Sequence, residues 1–465
     1  MSKRSFALVT LGTVLSIAAC SASGGSEKKV GGSGASSGSA GDGGSSAGGT
    51  SQGGTIGVGG GGYDADLGPK VTLRGTIWSP GADLPSTSVE NRFPIPGAAV
   101  MAFANAPSPL PQALYCNECV EIASGVPNVL ANPVDGTFEL DLAPGTWFLT
   151  IQKGEFRRVR QIQVVDDGSG VMDLEPTDPS AAKPEITTLP HHTELGLGDN
   201  IPKVAIVDGA YEDQEPMWSA LGFDYGNEIK LYETDYLSSD AVDTLMNDYA
   251  QLSQYNLIVF PCGADMPTGG SVKQNLERYV REGGKLYIDD FSYDYAEQVW
   301  PDFLSYFVRG DGFGGQTDAI CGDGSSTSPG TCNDWDSSYD FIGIPGDPDF
   351  AGWLALPSVN PSGTIQLEGA WNSIYALGEG QIGVDDTGAP VRAKPKVWMS
   401  GDTPAPQTEN PATVSWDYHC GKVLFTVYHT HTEDSSGSYQ LALQEKIMMY
   451  LIMEIQTCSD APVVK

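Results

Sequence analysis

The chain has 465 residues, room for two or three domains of ordinary size. Its 25 Lys and Arg stand against 59 Asp and Glu, a formal net charge of −34. So acidic a balance excludes duplex nucleic acid as a partner, because phosphate contacts need basic patches, and it suits solubility outside the cell and divalent cations.

The first residues, "MSKRSFALVTLGTVLSIAAC", read as a targeting segment: Lys3 and Arg4 precede an apolar run from Phe6 to Ile17, and Ala18 and Ala19 precede Cys20. The apolar run is too short to span a bilayer core of roughly 30 Å. "IAAC" resembles the lipobox of bacterial lipoproteins. That resemblance implies removal of residues 1–19, a lipidated Cys20 at the new N-terminus and, with Ser21 following it, an outer-membrane, extracytoplasmic address. The expected partner there is the membrane, reached through the N-terminal lipid. Residues 20–62 are rich in Gly and Ser and bury too little apolar surface to offset their ordering entropy, so they form a disordered tether.

An oxidising compartment suits the cysteines. Beyond Cys20 the chain carries Cys116, Cys119, Cys262, Cys321, Cys332, Cys420 and Cys458, an odd set. Cys116 with Cys119, Cys321 with Cys332, and Cys420 with Cys458 are candidate disulfides by proximity or loop shape, which leaves Cys262 over. The C-x-x-C of Cys116 and Cys119 also allows zinc, but no second ligand pair lies nearby.

Residues 70–173 alternate apolar and polar in short runs between turn residues, the pattern of a small antiparallel β-sandwich. Phe138, Leu140 and Leu142 fall on one face, as do Trp147, Leu149 and Ile151, with Asp135-Gly136 and Pro144-Gly145 as tight turns. "PIPGAAV", "DGTFELDLAPGTW" and the strand pair around Gly154-Glu155-Phe156 resemble the carboxypeptidase regulatory-like family, a transthyretin-like sandwich. The resemblance implies an accessory module without catalytic residues. Residues 174–200, broken by prolines, are the expected linker, and His191 and His192 within it read as a solvated pair.

From 201 to 458 the period changes. "KVAIVDG", "IKLYETD", "YNLIVFPCGAD" and "KLYIDDFS" are apolar runs of the kind buried on both faces, and between them lie helical segments. One opens at Ser238 or Ser239; another, "SVKQNLERYVREGG", stops at Gly283-Gly284. Alternating strand and helix predict a flavodoxin-like α/β domain with a parallel sheet, carrying an insertion over 310–391 and closing with late strands and a C-terminal helix.

"NLIVFPCGAD", "LERYVREGGKLYIDD" and "GKVLFTVYHTH" resemble the class I glutamine amidotransferase-like superfamily, including its trehalose-utilisation-like branch. The resemblance implies a catalytic cysteine on a strained elbow after "KLYIDD" and a histidine after a late strand. The histidine carries over to His429. The elbow holds Asp289, Asp290 and Phe291 instead of a cysteine, and His431 stands where the family has an acidic partner.

The strand-end edge and the insertion offer candidate sites. Cys262, one strand earlier, is a substitute nucleophile if His429 activates it, or a buried space-filling thiol. Asp208, Asp289, Asp290 and His431 with His429 offer carboxylate and imidazole to a divalent ion. Asp311, Asp318, Asp323, Asp334, Asp336 and Asp340 crowd the insertion and suit calcium, although the EF-hand spacing is missing. Without the elbow cysteine, the expected function is a non-catalytic ligand-binding or scaffolding module on an envelope lipoprotein, its ligand a glycan or a protein. The rival is an extracytoplasmic hydrolase using Cys262 and His429 or a metal-bound water.

Overall fold

A computed structural model describes residues 69–116, 125–233, 241–267, 270–306, 338–385, 387–404, 408–430 and 439–457. Its first part consists of two sheets. Strand β1 (Val71–Thr76) pairs with β4 (Thr137–Leu142) and with β7 (Val171–Asp173). The second sheet runs in the order β3 (Asn128–Leu130), β2 (Ala99–Phe103), β5 (Gly145–Lys153), β6 (Phe156–Val164). The alternation read from sequence holds in β4, where Phe138, Leu140 and Leu142 are buried and their neighbours exposed. In β2 every residue is buried. Val100 and Ala102 join the main core, while Ala99, Met101 and Phe103 form a second cluster with Val126 on the opposite face.

The second part is built on an eight-stranded sheet. Its parallel strands are β8 (Val204–Val207), β9 (Ile229–Tyr232), β10 (Leu257–Phe260), β11 (Lys285–Asp289) and β21 (Gly421–Thr426). They lie in the order β9, β8, β10, β11, β21. β20 (Asn410–Tyr418), β19 (Lys396–Gly401) and β14 (Ile344–Pro345) extend the sheet antiparallel beyond β21. Continuous burial of β8, β10 and β11 is what helices on both faces of a parallel sheet require. Helix α4 (Val272–Arg281) stops at Gly283, and α7 (Leu443–Gln456) closes the described chain. The helix expected from Ser238 or Ser239 is instead two short ones, α2 (Val242–Asn247) and α3 (Tyr249–Leu252). The break falls at Asp248, whose carboxylate caps α3 through the Ala250 N–H at 2.9 Å. Ser238 and Ser239 lie outside the described residues.

The two parts share one apolar core. The β5–β6 turn pushes Glu155 against Lys285 at the start of β11; the two are 3.6 Å apart and almost fully buried. Burial raises the Glu155 pKa and lowers that of Lys285, each opposed by the charge of the other. Lys153 pairs with Glu454 of α7 at 2.6 Å, and the Trp353 indole donates to the Pro94 carbonyl at 2.9 Å. Within residues 174–200 the stretch 187–191 is buried, not solvated: the Leu189 N–H donates to the Trp78 carbonyl, and His191 is buried 3.9 Å from Asp83. Only the second histidine is exposed, with His192 Nδ1 2.7 Å from Glu228.

The predicted cysteine pairing needs correction. Cys116 is bonded to Cys420, 304 residues away, not to Cys119, and Cys420 is thereby not bonded to Cys458. The cause is a close approach that sequence spacing does not display. A Cβ on Gly283 would stand 2.1 Å from the Tyr115 carbonyl oxygen, so the glycine that ends α4 also admits the segment carrying Cys116 beside the start of β21. Cys119, Cys458 and the Cys321 and Cys332 pair lie outside the described residues. Cys420→Ser should lower stability by about 2–5 kcal/mol, since the bridge closes a very long loop. Peptide mapping without reduction should recover Cys116 linked to Cys420; Cys116 linked to Cys119 would refute the pairing.

At the N-terminus of α7, Glu445 accepts the Ala442 N–H at 2.5 Å and the Tyr439 hydroxyl. Burial pushes its pKa up to about 7, against the opposing effect of these hydrogen bonds. A carboxyl raised in the folded state holds a proton that the unfolded chain has lost, so stability falls as pH rises from the ordinary value through about 7. The loss amounts to about 3 kcal/mol at most. Glu445→Gln should therefore gain melting temperature relative to wild type at pH 8 compared with pH 5. A difference independent of pH would show that Glu445 does not titrate this way.

Candidate functional site

The carboxyl ends of the parallel strands bring together residues distant in sequence. Strand β10 leads through Pro261 into Cys262, β11 into Asp290, and β21 through Val427 and Tyr428 into His429. Asp290, directly after β11, has a φ of +39°, a left-handed conformation uncommon for a residue with a side chain. His429 Nδ1 lies 3.3 Å from Asp290 Oδ2. The sulfur of Cys262, the carboxylate of Asp290 and the imidazole of His429 all lie within 4.8 Å of one another. Cys262 and Asp290 are fully buried and His429 is 7% exposed.

The inserted segment covers this cluster. Between β15 (Gln366–Ala370) and β16 (Ile374–Leu377), the N–H groups of Trp371 and Asn372 donate to the Asp290 carboxylate at 3.1–3.3 Å. The Asn372 side chain donates to the Asp290 carbonyl at 2.5 Å. Gly369, at a φ of +76°, lies against the imidazole: a Cβ there would come within 3.3 Å of His429 Cε1. Gln444 of α7 donates both to the His429 carbonyl at 2.5 Å and to the Glu368 carbonyl at 3.1 Å. Asp340, the described member of the acidic group in the insertion, accepts the Gly369 N–H at 3.0 Å; the other five aspartates lie outside the described residues.

Burial pushes the Asp290 pKa up to about 6, against the His429 hydrogen bond and charge and the two main-chain donors. For His429 burial works to lower the pKa, but the Asp290 bond and the charges of Glu212 and Asp290 outweigh it and the net shift is upward.

A second carboxylate, unread in the sequence, ties three strand ends together. Glu212, in the loop after β8, accepts the Cys262 N–H at 3.0 Å, the Thr430 N–H at 2.9 Å and the Thr430 hydroxyl. Ser292 does similar work after β11, accepting from the Ala264 N–H at 3.0 Å and donating to the Pro261 carbonyl at 2.5 Å. The acidic run "YEDQE" was the available signal for Glu212, but nothing in it separates the buried carboxylate from its exposed neighbours.

The predicted metal set is only partly assembled. Among the described residues Asp290 meets His429 and Cys262, whereas Asp208 and Asp289 are not part of that group, and His431 lies outside the described residues. Asp208 instead lines a cavity of about 710 Å³ where the chain diverges between β8 and β10, together with Tyr211, Glu212, Asp213, Glu215 and Tyr225. Burial raises the Asp208 pKa, helped by the charges of Glu233 and Asp213. Asp289 is buried at the end of β11, in register with Thr426 of β21.

No protein-family model matches the chain, and no curated protein matches it. Among solved structures, a ThuA-like protein from Parabacteroides merdae aligns at 12% identity over 57% of this chain and 92% of its own, with a TM-score of 0.29. A ThuA-like protein from Bacteroides uniformis aligns at 13% identity over 54% and 88%, with a TM-score of 0.30. A cytoplasmic protein from Salmonella typhimurium aligns at 12% identity over 56% of this chain and all of its own, with a TM-score of 0.29.

Proposed function

We propose that this chain is an envelope lipoprotein, anchored through Cys20 and the 20–62 tether, whose folded part is a non-catalytic ligand-binding or scaffolding unit. In this reading residues 70–173 are a carboxypeptidase regulatory-like sandwich and residues 201–458 a flavodoxin-like domain of amidotransferase-like descent. The strand order β9, β8, β10, β11, β21 supports the latter, because it is the 2-1-3-4-5 order of that class.

The observation that carries the non-catalytic reading is the state of Asp290. At the elbow where catalytic relatives expose a thiolate, this chain has a fully buried carboxylate occupied by the main chain of its own insertion. A nucleophile must reach a reacting atom, and these hydrogen bonds hold the elbow side chain against protein. The cavity beside β8 is the better place for a ligand: it opens at the divergence of strand order, where open α/β sheets bind their ligands. Its tyrosines and carboxylates suit a glycan, with rings to stack on sugar faces and oxygens to accept from hydroxyls.

The rival reading, hydrolysis by Cys262 with His429, is favoured by one fact, their proximity within 4.8 Å. Turnover of ester, amide and glycoside substrates by the full chain separates the two. The non-catalytic reading expects no activity above that of the Cys262→Ser and His429→Ala variants; activity lost in both variants while their melting temperatures hold would establish the hydrolase. Asp290→Ala should cost about 2–4 kcal/mol, because it leaves the Trp371 and Asn372 N–H groups buried without an acceptor. A variant as stable as wild type by chemical denaturation would remove Asp290 from its structural role.

A further inference from the structure

We propose that Cys262, Asp290 and His429 bind one Zn²⁺ ion, which ties the carboxyl ends of β10, β11 and β21 together. The three side chains supply sulfur, oxygen and nitrogen, the donor types that zinc takes in proteins, and all three are buried. The spacing of the imidazole and the carboxylate also accommodates an ion between them. A strong charge-assisted bond between imidazolium and carboxylate spans about 2.7–2.9 Å, whereas His429 Nδ1 and Asp290 Oδ2 stand 3.3 Å apart. Tetrahedral zinc, with bonds of about 2.0–2.1 Å to nitrogen and 2.0–2.2 Å to oxygen, sets those two atoms roughly 3.3–3.5 Å apart. The three ligand groups lie within 4.8 Å of one another, and binding draws the sulfur in toward the roughly 3.5 Å edge that a thiolate ligand needs.

The surroundings support the ligands in the manner of metal sites. The Asp290 carboxylate is oriented by the N–H groups of Trp371 and Asn372, and the main chain at Cys262 is fixed by Glu212. Binding releases the thiol proton to solvent, so affinity rises with pH. This zinc tie rests on the non-catalytic reading in one respect only, that the ion acts as a structural cross-link.

The test uses the full chain, stripped with a chelator and then titrated with Zn²⁺ alone. The expected results are one zinc per chain, a melting temperature that rises with zinc and falls on chelation, and, with Co²⁺ as a spectroscopic substitute, a thiolate-to-cobalt charge-transfer band. Cys262→Ser should abolish that band and weaken zinc binding by about tenfold or more. Asp208→Asn, outside the ligand set, should bind as wild type does. If the cysteine variant fails to fold, the band in the wild-type chain still decides. No stoichiometric zinc, no charge-transfer band, or zinc retained undiminished in Cys262→Ser overturns the site and leaves the non-catalytic reading standing. Zinc-dependent hydrolysis overturns that reading and leaves the metal site standing.

Discussion

The organisation of the second domain turns on a carboxylate held without access to water. Asp290 sits in a left-handed conformation, fully buried, and its charge is met by two main-chain donors from the insertion and by His429. An unpaired carboxylate at that depth is prohibitively costly, so the donors and the imidazole must be present whenever the edge is folded. The insertion is therefore part of the sheet edge, docked on the Asp290 carboxylate.

The same logic closes the rest of that edge. Glu212 binds main-chain groups at the ends of β10 and β21, Ser292 links the ends of β10 and β11, and Gln444 joins α7 to Glu368 of the insertion and to His429. At the opposite end of the sheet the β5–β6 turn is seated against Lys285, and the Cys116 to Cys420 bridge fastens the first part to the second. Among the described residues a cavity remains beside β8, lined by Asp208, Asp213, Glu215, Tyr211 and Tyr225.

Much of the framework was legible because hydrophobic period is a local signal. The runs VAIV, LIVF and KLYID read as buried strands and are buried strands, and Gly283-Gly284 marks the end of α4 in sequence as in structure. What the sequence hid are contacts between segments. The pairing of Cys116 with Cys420 depends on how closely Tyr115 approaches Gly283, and the burial of His191 depends on how residues 185–189 pack beside Trp78. His429 and Cys262 were legible from strand ends. Their meeting with Asp290, rather than with Asp208 or Asp289, depends on where the strand ends place side chains in space, which composition and spacing do not encode.

Reactivity of Cys262 in the native full chain, followed by alkylation at neutral pH and peptide mapping, tests the closed edge most directly. The account predicts that Cys262 is labelled only after unfolding, because the thiol is fully buried beneath the elbow. Rapid labelling of Cys262 in the folded protein would mean an accessible, activated thiol at the strand ends, and would contradict the reading of this edge as sealed.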